Sequence, residues 1–276
     1  MKLYKYSGAG NDFVVLDGRE GIADEWRQPE QISRLCDRHT GFRAADGRVG
    51  ADGIMILNPS AELDFSMEFY NPDGTGGMMC GNGGRCIVAF ADYLGIKGAE
   101  GRFYRFLAPD GVHTATILEG SGEDCTVRLR MKDTQGIKEV LGGWFLNTGT
   151  RHFVKFVEDV EKVDVDLEGK FLRWRQEFAP EGSNVNFVSV GPDAIHVRTF
   201  EKGVERETLA CGTGITASAL TACHVGVAPS KEEDGRVEYR IRARQDMLQV
   251  DFKPAGPDSF EDIYLTGPAK QLQILL

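Results

Sequence analysis

Residues 64–70, Asp-Phe-Ser-Met-Glu-Phe-Tyr, alternate apolar and polar positions along most of their length. A period of two puts every second side chain on one sheet face, so a half-buried strand is predicted there. Asn71-Pro72-Asp73-Gly74 behind it is a turn signal. The same criteria predict strands at 2–6, 13–16, 54–57, 125–131, 144–146, 152–157, 185–190, 195–200, 237–242 and 247–252. Ser7–Asp12 reads as a glycine-rich turn between the first two, and 228–235 as a polar, exposed loop. A helix over 29–38 begins with Pro29, a residue suited to the first helical position.

Two more helices, over 81–95 and 212–226, have an unusual pattern. Residues 86–94 are apolar on nearly every side, and 215–225 are small or apolar all round. Such a helix is buried on all faces. No run of eighteen apolar residues occurs, so neither is a membrane span. Among so many strands, the solution is a helix wrapped by a curled sheet, in a mixed α/β (α+β) chain.

The chain also repeats itself. Cys80-Gly81-Asn82-Gly83 aligns with Cys211-Gly212-Thr213-Gly214 at an offset of 131. Gly50-Ala51-Asp52 then falls near Gly182-Ser183-Asn184 at 132, and Phe13-Val14 near Phe153-Val154 at 140. Shared order and similar offsets predict two similar domains. A pseudo-two-fold arrangement would bring the two Cys-Gly turns face to face across a cleft. The expected boundaries are 1–122 plus 267–276 for one domain and 123–266 for the other.

Composition narrows the options. A net charge of −10 argues against general nucleic-acid binding. The N-terminus has no apolar stretch of signal-peptide length, so a cytoplasmic, membrane-free protein is expected. Thirty-four glycines predict many tight turns or close backbone approaches. Six cysteines in a reducing compartment do not make a disulfide framework. Neither Cys-x-x-Cys nor His-x-x-x-His occurs, so no metal site is expected. Cys36, Cys86, Cys125 and Cys223 read as small buried hydrophobes. Cys80 and Cys211 stand apart, because each opens a Cys-Gly-x-Gly turn before a helix.

A thiol at a helix N-terminus sits where unpaired N–H groups and the helix dipole favour an anion. Its pKa can fall from ~8.5 toward neutral. The same amides could hold a substrate carboxylate while its α-carbon becomes carbanionic. Inverting a carbon centre needs a base on one face and an acid on the other, which two thiols in opposite protonation states provide. A dry site would strengthen each dipole aimed at the charge. No Schiff-base or phosphate-binding lysine signature is evident, so no cofactor is expected.

The segments Met79-Cys80-Gly81-Asn82-Gly83-Gly84-Arg85-Cys86 and Glu207-Thr208-Leu209-Ala210-Cys211-Gly212-Thr213-Gly214 resemble the diaminopimelate epimerase family. Gly8–Phe13, Asp37–Gly41, Gly50–Gly53, Phe69–Gly74 and Gly267–Ala269 match it too, in the family's order. The resemblance implies cofactor-independent interconversion of LL- and meso-2,6-diaminoheptanedioate in lysine biosynthesis. It implies two pseudo-symmetric domains, each a curled, mostly antiparallel sheet or barrel around a central helix, and a cytoplasmic homodimer. Cys80 and Cys211 would be the acid/base pair. Asn11, Asn71, Gly81, Asn82, Thr150, Asn184, Glu201, Lys202, Gly212 and Thr213 would contact substrate, and His152 and Glu201 would tune the thiols. Asn11 and Asn71 also fit a plain turn-forming role beside Gly or Pro.

Three positions depart from the family pattern. Thr150 stands where many members carry an Asn, and a hydroxyl offers fewer hydrogen bonds than an amide. Gly53 replaces a Gln found in some members. The segment Glu201–Thr208 is one residue longer than usual, with Lys202 in place of Arg. Lys202 would then meet the distal carboxylate as a point charge, with Arg206 as the other option. Competing readings are a proline or hydroxyproline racemase, in which a His follows the first Cys-Gly where this chain has Asn82. A non-catalytic binding protein and a thiol-redox enzyme complete the set.

Overall fold

The computed structural model describes residues 2–77 and 80–272; Met79 of the quoted motif and the last four residues lie outside that range. The chain forms two compact units, Met1–Leu129 with the stretch from Gly267, and Arg130–Thr266. Residues 123–129, expected in the second half, therefore belong to the first unit.

In the first unit, β1 (Leu3–Gly8) and β2 (Asn11–Asp17) form a hairpin. Its turn is only Ala9-Gly10, both at positive φ (51° and 96°). A two-residue turn of this kind matches the strand twist, so the ladder runs deeper into the glycine-rich segment than predicted. Asn11 thus begins a strand. After α1 (Pro29–Cys36), β3 (Ile54–Asn58) lies parallel to β2, and β4 (Phe65–Tyr70) antiparallel to β3. Along β4, Phe65, Met67 and Phe69 are buried, as the alternation requires. Then come α2 (Gly81–Tyr93), β5 (Phe103–Ala108), β6 (Gly111–Ser121) and β7 (Asp124–Arg130). β5 is parallel to β4, and β5, β6 and β7 form an antiparallel meander. The chain's last strand pairs with both β7 and β1 over residues 267–272 and closes a barrel.

Helix α2 fills that barrel, and every residue from Gly81 to Ala91 is buried. Phe90 packs against Tyr4 and Tyr6, with ring centroids 4.9 and 5.7 Å away. Burying side chains such as Ile87, Val88 and Phe90 stabilises the unit by ~1.5–3 kcal/mol each.

The second unit repeats the order of pairings. β8 (Thr134–Gln135), β9 (Lys138–Val140), β10 (Gly143–Asn147) and β11 (Arg151–Phe156) precede α3 (Val165–Arg173). β12 (Asn184–Val190), β13 (Ile195–Glu201), β14 (Arg206–Thr208) and α4 (Gly212–His224) follow. β15 (Lys231–Glu233), β16 (Arg236–Arg242), β17 (Met247–Gly256) and β18 (Ser259–Leu272) complete the chain. β11 and β12 are parallel, as are β13 and β16, just as β2–β3 and β4–β5 are. The repeat extends to register: Val14 pairs with Ile54, and Val154 with Asn186. These are the partners that offsets of 140 and 132 relate. Ile215–Ala222 of α4 are all buried. A mixed α/β fold of barrels wrapped around buried helices is what the apolar helices predicted.

Several elements escaped the pattern, for identifiable reasons. β5 and β6 carry exposed apolar residues, Leu107, Val112 and Leu118, which blur the alternation. β18 contains Gly267-Pro268, normally a loop signal, at the point where the strand passes from one unit to the other. Helix α3 has a mid-helix glycine, a poor helix former. Gly169 is there because a Cβ would lie 2.3 Å from Phe200 Cβ. The predicted loop 228–235 contains β15, a short exposed strand in a hairpin with β16. Its Asp234-Gly235 turn, with both residues at positive φ, was the available signal.

Candidate active site

Cys80 is the N-cap of α2, and its sulfur accepts the Gly83 N–H at 3.2 Å. Around it the first unit builds a continuous polar network. Arg85, fully buried, donates to Asn82 Oδ1 at 2.8 Å, to the Gly81 carbonyl and to the Pro268 carbonyl. Asn82 Nδ2 donates to Asn11 Oδ1, and Asn11 Nδ2 to Asp52 Oδ2 at 2.9 Å. Arg38 pairs with both Asp52 and Asp12, while buried Lys5 pairs with Asp12 at 2.7 Å. Every amide in the chain is oriented by a charge at one end or the other. Asn11 and Asn82 are therefore held in fixed poses, which a recognition role requires.

Asn71 behaves differently. Its Nδ2 donates to Thr75 Oγ1 at 3.0 Å and its N–H to the Thr75 carbonyl, inside its own turn. The turn-forming role is occupied. Gly53 has no room for a side chain, since a Cβ would lie 2.7 Å from the Tyr70 carbonyl oxygen.

Cys211 is the N-cap of α4 and is buried. Its sulfur lies 3.4 Å from Thr213 Oγ1. Thr213 Oγ1 is 2.9 Å from His152 Nε2 and 3.0 Å from Thr150 Oγ1, and Thr150 Oγ1 is 2.8 Å from His152 Nε2. Thr148 Oγ1 donates to the Thr213 carbonyl. His152 is fully buried, and burial pushes its pKa down to about 3. It is neutral near pH 7, so a charged imidazolium is not what acts on the thiol. Nor does it bond the sulfur directly; Thr213 stands between them.

Asn184, Glu201 and Lys202 lie at the end of the β12–β13 ladder. Asn184 Nδ2 donates to the Arg151 carbonyl, and its Oδ1 accepts the Lys202 N–H at 2.8 Å. Glu201 Oε2 accepts from Thr208 Oγ1 at 2.8 Å, and Arg206 sits directly opposite Glu201 in the hairpin. The extra residue of this segment is accommodated by a four-residue turn, with Glu205 at φ 59°. Glu205 is clamped by Arg173 Nε at 2.7 Å.

Sequence reasoning missed Asn186. It is fully buried, bonded to His152 Nδ1 at 3.1 Å, to the Phe153 carbonyl and to Thr199 Oγ1. The signal existed: Asn184 and Asn186, two apart in a strand, share one face, and buried polar side chains are the informative exception. Of the remaining thiols, Cys36, Cys86 and Cys125 are buried as expected, whereas Cys223, near the exposed end of α4, is only half-buried. Burial raises Cys36 and Cys125 to about 12, and raises Cys86 and Cys223 too. Among the described residues, no cluster of three His, Cys, Asp or Glu could hold a metal, and no helix is long and apolar enough to cross a membrane.

These features define a class: mixed α/β proteins of two repeated halves, each a barrel around a buried, cysteine-headed helix. A hydroxyproline epimerase from Agrobacterium vitis shares the fold, with a TM-score of 0.66 over 99% of this chain and 89% of that one. At 16% identity the likeness is one of fold alone. The sequence goes further. The family model described as diaminopimelate epimerase matches residues 3–129 and 144–271. A diaminopimelate epimerase from Chlorobaculum tepidum is 40% identical over 270 residues, covering 96% of each chain. One from Aquifex aeolicus is 41% identical over 282 residues, covering 97% of this chain and 94% of the other. The chain belongs to the diaminopimelate epimerase family, isomerases that act on amino acids.

Proposed function

We propose that the protein interconverts LL- and meso-2,6-diaminoheptanedioate in lysine biosynthesis, without cofactor, using Cys80 and Cys211 as an acid/base pair. One observation carries this reading: in a chain of this family, each half places a cysteine as the N-cap of a helix buried in its barrel.

One thiolate takes the α-proton and becomes a thiol. The other thiol delivers its proton to the opposite face and becomes the thiolate. Atoms balance, and the enzyme is left in the protonation state that the reverse reaction starts from. The carbanionic intermediate spreads its charge onto the α-carboxylate. Helix N-termini present N–H groups to an anion, so the first turns of α2 and α4, at Gly81, Asn82, Gly212 and Thr213, would receive that charge.

The distal amino-acid head is zwitterionic. Asn11, Thr150, Asn184 and Glu201 supply polar groups for it, Lys202 supplies a cation, and Asn71 contributes through the lone pairs its turn leaves free. The low identity to proline-type relatives, and Asn82 in place of His, weigh against a substrate lacking that head. We place the protein in the cytoplasm as a homodimer, which light scattering on the purified chain checks.

The deciding experiment is incubation of reduced enzyme with LL-diaminoheptanedioate in deuterated water. Deuterium should enter one α-carbon as the meso product accumulates, with nothing added. Well-folded enzyme that exchanges no hydrogen sinks the proposal.

A further inference from the structure

We propose that Asn186 is a positioning residue for the Cys211 thiol: it holds His152 as the Nε2–H tautomer and so leaves the Thr213 hydroxyl hydrogen free for the sulfur. The inference deepens the two-thiol reading and rests on it for its catalytic meaning.

The logic starts at an unambiguous acceptor. The Phe153 carbonyl can only accept, so the Asn186 atom 3.2 Å from it is the amide nitrogen. The Asn186 oxygen is then the atom that accepts from Thr199 Oγ1 at 2.9 Å. Nδ2 has a second hydrogen, and His152 Nδ1 lies 3.1 Å away. To accept it, Nδ1 must carry a lone pair, so the proton of a neutral ring is on Nε2. Nε2–H then donates into the hydroxyl pair Thr150 and Thr213, at 2.8 and 2.9 Å. Because Nε2 is a donor, it cannot draw in the Thr213 hydrogen. With Thr150 donating its own hydroxyl hydrogen to Thr213 Oγ1 at 3.0 Å, Cys211 Sγ, 3.4 Å from Thr213 Oγ1, is the acceptor along which the relay continues. The donors run in one direction, from Asn186 through His152 and Thr213 to the sulfur. A hydrogen bond donated to a thiolate favours the thiolate.

The opposite tautomer would make Nε2 an acceptor and pull a hydroxyl hydrogen away from Cys211. The groups facing His152 are Asn186 on β12, Thr150 ahead of β11, and Thr213 on α4; among the described residues none is charged. The packing protects the arrangement. A Cβ on Gly214 would lie 2.4 Å from Asn186 Oδ1 and 3.3 Å from His152 Cε1. The second glycine of Cys211-Gly-Thr-Gly is thus the space that Asn186 and His152 occupy.

The test uses the full, reduced chain without substrate. Ring ¹⁵N–¹H correlation spectra of histidine-labelled protein should show His152 as the Nε2–H tautomer between pH 6 and 9. The pH midpoint of Cys211 alkylation by iodoacetamide, located by peptide mass spectrometry, reads the thiol. Asn186→Leu should disturb the tautomer and raise that midpoint by about one unit, and Thr213→Val should raise it similarly. Thr213→Ser should restore it. An Nδ1–H ring in the parent protein overturns the proposal. So does a Thr213→Val protein with an unmoved midpoint, which decides the matter even if Asn186→Leu fails to fold. These readouts need no turnover: absent epimerisation with the thiol shifts intact would refute the activity and leave the relay standing.

Discussion

The Gly83 amide donates to the Cys80 sulfur at 3.2 Å, whereas Cys211 makes no capping bond to the helix it heads and meets the Thr213 hydroxyl instead. Two turns of the same sequence pattern thus hold their thiols by different means, one by backbone and one by a side chain. If both serve as acid and base, neither can be spared. Cys80→Ala and Cys211→Ala should each lower kcat by at least ~10²-fold, the usual scale for a lost acid or base. Each removes a single sulfur, so urea unfolding should show both variants folded and within ~1 kcal/mol of the parent. A folded variant that retains full turnover would support a binding or isomerase-like protein that never uses its thiols.

The glycines of the two turns differ in the same spirit. At Gly83 the nearest atoms to an added Cβ are Cys80 Sγ at 3.3 Å and Met55 Sδ at 3.4 Å. At Gly214 the nearest is Asn186 Oδ1 at 2.4 Å, a buried amide fixed by Thr199. Alanine gains about 1 kcal/mol of helix propensity at either site. Overpacking of ~1–3 kcal/mol should outweigh that gain at Gly214 and not at Gly83. Gly214→Ala should therefore lower the urea midpoint while Gly83→Ala leaves it unchanged or raises it. Equal midpoints would mean that Asn186 can yield.

How much of this was legible in the chain depends on where each signal was stored. Helices α2 and α4 announced themselves, because a helix without a polar face has to be enclosed. The repeat was legible to the level of register, Val14–Ile54 against Val154–Asn186. Strands β5 and β6 were hidden by apolar residues on their outer faces, and α3 by a glycine that answers to Phe200 rather than to helix propensity. In the candidate site, the cysteines and their flanking residues are local in sequence, so the chain itself singles them out as candidates. Asn186 is not singled out, since its importance lies in contacts with Phe153, His152 and Thr199, which no local pattern encodes. The charge state of His152 was not legible for a similar reason. Full burial, a tertiary property, keeps the ring neutral.

That neutrality has a measurable consequence. His152 titrates near 6.5 when unfolded and at about 3 when folded. Between those values the unfolded chain binds the extra proton, so its contribution to stability is complete above pH ~6.5 and fades as pH falls toward 3. Urea midpoints measured from pH 7 down to 4.5 should fall more steeply for the parent than for His152→Gln. Parallel slopes would place the imidazole in a more hydrated setting.

Glu205 tests whether the lengthened turn is built for its place. A non-glycine residue at φ 59° carries backbone strain of about 1–2 kcal/mol. Its carboxylate, held below the ordinary range by its hydrogen bond to Arg173, anchors a guanidinium that is almost fully buried. Glu205→Gly relieves the strain and leaves that guanidinium without its carboxylate; because the carboxylate is half-exposed, solvent screening brings the loss well below the ~3–5 kcal/mol of a fully buried pair, and stacking of Arg173 over Trp174 softens it further. The variant should be destabilised on balance, and its substrate KM should rise, because the same turn carries Lys202. For the parent, the stabilisation from this pair is present above the usual carboxylate range and is lost as pH falls through the lowered value of Glu205. A Glu205→Gly protein as stable as the parent would show that the ion pair is incidental.

The last question is which cation meets the distal carboxylate. Lys202 has its amide tied to Asn184 Oδ1, so its backbone is fixed beside a group proposed to touch the substrate. Arg206 lies opposite Glu201 on the return strand, and Lys202 and Arg206 are both exposed. If Lys202 serves as a point charge, Lys202→Ala should raise KM at least ~10-fold with little change in kcat, the pattern of lost uniform binding. Lys202→Arg should retain most of the affinity, and Arg206→Ala should change KM by no more than ~3-fold. Steady-state kinetics on the three variants settles the order. If Arg206→Ala is the damaging change, the carboxylate belongs to Arg206, and the longer turn has moved the recognition site across the hairpin.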